Sequence, residues 1–143
     1  MMVEKKRGLE TLEVWQKAIE YAVEICQNVI PLFPSDEKWA LSSQLRRAAQ
    51  SIPANIAEGY GRYNYQEAIR FCYIARGSMA ETKTHLVLAN RLGYLDDTTH
   101  QDFLARLSEI GKMLNGYIKH LRKQKEMSYL HEAPNPPETY DLS

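Results

Sequence analysis

Residues 45–62 read LRRAAQSIPANIAEGYGR, and two stripes run through them at helical spacing. Leu45, Ala48 or Ala49, Ile52 and Ile56 form an apolar stripe, while Gln44, Arg47, Ser51, Asn55, Glu58 and Arg62 form a wholly polar one. The spacing predicts one helix with two unlike faces. Pro53 falls inside it, where it forfeits a backbone hydrogen bond and crowds the carbonyl of Ala49, a cost of about 3 kcal/mol in an ordinary helix interior. The expected return is a bend that brings Asn55, Glu58 and Arg62 to a polar contact.

Outward from this stretch, the same periodicity predicts three more helices. Leu12, Trp15, Ile19, Ala22, Cys26 and Val29 define the inward stripe of a first helix over about 11–30, stopped by the Pro31-Leu32-Phe33-Pro34 segment. The second is expected over about 36–59, with Ser35 as its N-cap and a left-handed glycine, Gly59 or Gly61, at its end. Asn64 and Glu67 cap a third helix over about 65–92, whose inward residues are Ala68, Phe71, Ala75, Ser78, Thr82, Leu86 (or His85), Ala89 and Leu92. Gly77 in its middle implies tight contact with a helix or a neighbouring subunit. Thr98 and Gln101 cap a fourth helix over about 99–124, with Phe103, Leu107, Ile110, Leu114, Tyr117 and Leu121 inward. Short connections between four helices predict an all-α, antiparallel up-down-up-down four-helix bundle over residues 1–127. Pro134, Pro136 and Pro137 mark residues 128–143 as a flexible, acidic tail.

At 143 residues, with 44% hydrophobic and 25% charged residues, the chain has the make-up of one soluble globular domain. No apolar run of membrane-spanning length or signal-peptide core is visible, so a cytoplasmic location is expected. Cys26 and Cys72 lie on amphipathic patterns without CxxC or Cys/His spacing and read as reduced core residues. Net charge is zero, yet Arg46, Arg47, Arg62, Arg70, Arg76, Lys83 and Arg91 face only Glu58, Glu67 and Glu81 between Arg46 and Arg91, a local excess of four positive charges.

Glu58-Gly59-Tyr60-Gly61-Arg62 lacks the spacing and strand–turn–helix context of a nucleotide loop. Glu81 and His85 share a helix face but lack the paired Glu-x-x-His spacing of di-metal bundles, and His100, His120 and His131 have no matching partners. No nucleophile–base pair stands out. The sequence therefore predicts no catalytic residues, no cofactor and no metal.

The stretch QLRRAAQSIPANIAEGYGR, with FCYIARGSMAETKTHLVLANRLGYL after it and LEVWQKAIEYAVEI before it, closely resembles the four-helix bundle family of the 23S rRNA intervening-sequence protein. The likeness spans roughly Leu9 to Leu121. It implies a ring, with a homopentamer as the expected form. It also implies kinship with the accessory proteins of diversity-generating retroelements, basic pentameric barrels that engage a reverse transcriptase and nucleic acid. The family motif places Ser51, Asn55, Glu58, Arg76, Ser78 and Glu81 in a polar network. Three readings of the polar stripe stay open: a solvated face, a hydrogen-bonded helix or subunit contact, and a ligand or RNA surface. The second is preferred, since polar networks more often specify structure than perform chemistry. The expected function is a non-enzymatic, homo-oligomeric binding or scaffold module for RNA or a nucleic-acid enzyme. The seven basic residues of the second and third helices are the candidate nucleic-acid contacts, beside Tyr60, Tyr63 and Tyr65. The alternative is a structural protein–protein module without nucleic-acid affinity.

Overall fold

The computed structural model describes residues 8–132. Four helices dominate: α1 (Glu13–Glu24, prolonged by a wide π-helical turn at Ile25–Val29 and a 3-10 turn at Ile30–Leu32), α2 (Leu41–Tyr60), α3 (Tyr65–Arg91) and α4 (Asp97–Glu132). No strand occurs among the described residues. Consecutive helices pack side by side, and α4 returns to α1. This is the neighbour pattern of a four-helix bundle. Ile25, Leu45, Ile52, Ile56, Leu86 and Leu114 fill its centre and are all buried.

The phase of α1 differs from the expected stripe. Of that stripe Ala22 and Val29 are buried, but Val14, Ala18, Tyr21 and Ile25 join them in the core, while Trp15 and Cys26 are half-buried and Ile19 is 36% exposed. Two apolar stripes lie side by side on this helix, and period alone does not say which one faces inward. In the wide turn that follows, Asn28 is exposed and Val29, four residues after Ile25, stays buried.

α2 begins later than expected. Ser35–Glu37 is a separate 3-10 turn without a serine cap, and the Glu37 carboxylate instead accepts from the Leu41 N–H at 3.2 Å. Its other oxygen accepts from the Tyr94 hydroxyl at 2.8 Å, joining this loop to the one between α3 and α4. At the far end Gly61 has φ −82°, so no left-handed cap forms there. Gly59 is instead buried inside α2, where a β-carbon would stand 2.9 Å from both the Ala68 carbonyl oxygen and the Phe71 β-carbon. The missing side chain is what lets α2 and α3 close on each other.

Asn64 caps α3 as expected, its side-chain oxygen accepting from the Glu67 N–H at 2.8 Å. Ala68, Ala75, Ser78, Thr82, Leu86 and Ala89 are buried, joined by Ile69, Cys72 and Met79; Phe71 is half-buried and Leu92 is 55% exposed. Gly77 meets nothing, since a β-carbon there would find no atom within 4 Å. Gly93, at φ +84°, ends α3 in the left-handed region.

The cap of α4 is Asp96, not Thr98: its carboxylate accepts from the Thr99 N–H at 2.7 Å. That bond holds the Asp96 carboxyl below the usual aspartate range. Ile118 replaces the expected Tyr117 among the buried residues. α4 runs on to Glu132, past the expected end near residue 124, so residues 128–132 are helical. The rest of the expected tail lies outside the described residues. α1 and α4 are pinned where the Tyr21 hydroxyl donates to the Phe103 carbonyl at 2.8 Å and Arg106 pairs with Glu24 at 2.8 Å.

Candidate functional site

The polar seam of the motif is small and internal to the chain. Ser51 on α2 and Ser78 on α3 share a hydrogen bond at 2.8 Å. Asn55 donates to the Ser51 carbonyl at 2.8 Å and hydroxyl at 2.9 Å, folding back over the turn that contains Pro53. The Thr82 hydroxyl donates to the Ser78 backbone carbonyl at 2.8 Å. Hydroxyls and an amide thus replace apolar packing where the two helices cross. Nothing in this cluster is a nucleophile with a base beside it.

The other expected members lie elsewhere. Glu58, near the end of α2, pairs with Arg62 just past that end, so neither reaches the serine seam. Arg76 turns towards α4 and donates to the Asn115 side chain at 2.9 Å. Glu81 is exposed, with no hydrogen bond or ion pair among the described residues. The expected six-residue network therefore divides, with Ser51, Asn55 and Ser78 holding together and Glu58, Arg76 and Glu81 outside.

All seven candidate basic residues are exposed, but they do not make one patch. Arg47 lies in the second turn of α2 and Arg62 just past its last residue, Tyr60, while Arg70 and Arg91 are about 32 Å apart along α3 at 1.5 Å per residue. Arg46, Arg47, Lys83 and Arg91 thus occupy one half of the bundle, and Arg62, Arg70 and Arg76 the other. In that second half guanidinium groups lie over rings: Arg62 at 4.9 Å and Arg70 at 4.8 Å from the Phe71 centroid, Arg76 at 4.8 Å from that of Tyr73. Arg122 from α4 reaches the same Tyr73 ring at 5.5 Å. Such contacts hold planar cations at the surface with donors turned outward.

Sequence reasoning missed the α4 contribution. From Lys119 to Lys125 there are four basic residues and no acidic one, a signal that was readable but assigned to a helix end. Because α4 continues, these residues form a helix wall opposite the start of α3. Two of them, Arg122 and Lys125, line a groove of about 850 Å³ together with Arg70, Tyr73 and Tyr129 among others.

A second groove, between α1 and α2, is of opposite character. Trp15, Ile19, Val23 and Cys26 from α1 meet Pro53, Ala54 and Ala57 from α2 in a nearly unbroken apolar trough. It contains the stripe of α1 that the sequence placed in the core.

Among the described residues no group of three or more His, Cys, Asp or Glu is arranged to hold a metal ion. Both ring nitrogens of His85 are buried without a hydrogen-bond partner there, and Glu81 makes no bond to it. No helix among these residues is long and apolar enough to cross a membrane.

Residues 10–116 match the family model described as 23S rRNA-intervening sequence protein. The chain belongs to this family. The match contains the whole serine seam and ends before Arg122, Lys125 and Tyr129 of the basic groove. The chain is also similar to a solved protein of unknown function from the S23 ribosomal protein family of Bacteroides thetaiotaomicron. The identity is 29% and the TM-score 0.67, over 74% of this chain and 98% of that one. No curated protein matches.

Proposed function

We propose that this family member is a non-enzymatic, cytoplasmic, self-assembling binding module that presents basic surfaces to RNA or to a nucleic-acid enzyme. A ring of identical bundles, with the pentamer implied by the resemblance, is its working form. The observation that carries this reading is the apolar trough between α1 and α2, whose wall includes Ile19 at 36% and Val23 at 45% exposure. Apolar surface of this kind is commonly covered by a protein partner, and a second copy is the partner always present. Assembly repeats each modest basic patch around the ring, and repetition raises avidity without a new contact.

Sedimentation and a salt series with labelled RNA test the two parts. The wild-type chain should sediment as an oligomer, and Ile19→Glu with Val23→Glu should yield a helical monomer. A wild-type monomer at high concentration would overturn the assembly. RNA binding should weaken steeply as salt rises; no binding at micromolar protein would leave the structural adaptor. That second reading draws on Arg62 and Arg70, whose charges are already paired with Glu58 and Glu67.

A further inference from the structure

We propose that the groove between the start of α3 and the end of α4 is a track for single-stranded nucleic acid. The inference rests on the nucleic-acid reading above and assigns it a place. Three basic residues, Arg70, Arg122 and Lys125, line the groove against two carboxylates, Glu67 and Glu126. Glu67 already pairs with Arg70 at 3.3 Å. Arg76 is held against Tyr73 and Asn115 just beyond, and Lys119 and Lys123 lie exposed on the α4 flank. A backbone following the groove would meet cations from both helices.

The aromatic residues decide the strand type. Tyr129 is 69% exposed on the groove wall, and Tyr73 lies beneath two guanidinium planes. Bases stack on tyrosine and on guanidinium planes, but only once they have left a duplex. A duplex keeps its base faces stacked inside and offers such a groove its phosphates and base edges, whereas a single strand offers base faces as well. The α4 wall also lies beyond the family match, which ends at residue 116. The groove's α3 wall, with Arg70 and Tyr73, lies within the match.

Fluorescence anisotropy with labelled oligouridylate, oligothymidylate and a short RNA hairpin stem tests it in the full chain. The single strands should bind at least tenfold more tightly than the stem. Arg122→Glu with Lys125→Glu should weaken them more than tenfold and flatten the salt dependence, since two phosphate contacts are lost. Tyr129→Ala should cost roughly tenfold. These positions are exposed, so unchanged circular dichroism and melting separate lost contact from lost fold. Arg46→Glu with Arg47→Glu, in the other half of the bundle, should have the smaller effect. If the wild-type chain binds and only the Arg46/Arg47 variant is weakened, the groove is wrong and the nucleic-acid reading survives. Equal affinity for the stem would overturn the single-strand assignment. No binding by the wild-type chain would overturn both.

Discussion

The hydroxyls of Ser51 and Ser78 meet at 2.8 Å across the α2–α3 crossing, 27 residues apart in sequence. Each is already engaged within its own helix, Ser51 by Asn55 and Ser78 by the Ile74 carbonyl at 3.3 Å. The pair therefore fixes the rotation of α2 against α3 as well as their separation. A sliding or rotated packing would strand a hydroxyl in the seam. Ser51→Ala and Ser78→Ala should each cost about 1 kcal/mol, with a coupling of roughly 0.5–1.5 kcal/mol in a double-mutant cycle. Urea unfolding midpoints measure it; strict additivity would mean that the two hydroxyls act separately.

Gly59 and Gly77 make a matched pair with opposite expectations. Gly59→Ala puts a methyl 2.9 Å from the Ala68 carbonyl oxygen, backbone that cannot swing aside, and should destabilise the fold by about 1–3 kcal/mol. Gly77→Ala meets open space and should stabilise an isolated bundle by up to about 1 kcal/mol through helix propensity. Thermal melting gives both signs. A fall in sedimenting mass on Gly77→Ala would place that face in the subunit contact.

Alkaline pH should weaken the fold through three buried acids. Burial pushes the Cys72 thiol from 9.0 up to about 11 and holds the Tyr21 and Tyr117 phenols well above their usual range. Below about pH 9 the folded and unfolded chains hold these protons alike, so the contribution is fully present. As pH rises from about 9 through 11, the unfolded chain ionises first and stability is lost. Urea midpoints across that window should fall. Cys26, half-exposed, should react with a thiol reagent before Cys72 does.

At the acid end, the hydrogen bonds that Asp96 accepts from Thr99 reverse the sign. A depressed carboxyl contributes above its unfolded value and loses that contribution as pH falls through the folded one. Asp96→Ala should lower the melting temperature near neutrality and flatten the acid limb of the melting curve. Asp96→Asn, which keeps the accepting oxygen, should recover most of the melting temperature. Equal melting of all three proteins would deny the cap.

The sequence made α2 and α3 legible because each has one dominant apolar stripe and, at Asn64, an unambiguous cap. It misplaced α1 because Trp15 and Ile19 carry as much apolar character as Val14 and Ala18, and period alone does not rank two stripes. Ser35 and Thr98 both looked like caps, yet a carboxylate nearby took each role, Glu37 for Leu41 and Asp96 for Thr99. Ser51, Asn55 and Ser78 share hydrogen bonds, a juxtaposition that follows from helical spacing on α2 and the crossing with α3. Arg76 was not, because its direction towards Asn115 depends on how α3 and α4 pack. The basic run of α4 was readable, but its pairing with α3 was not, because Tyr73 and Arg122 are neighbours only through the antiparallel return of α4.

The wide turn at Ile25–Val29 gives α1 a surplus residue stored in its own backbone. Removing Asn28 would let that turn relax to ordinary α spacing while Val29 and Phe33 kept their inward places, four residues apart as before. Chain length is thus negotiable inside this helix. Relatives one residue shorter are expected to differ here, in the middle of an element, with their loops unchanged.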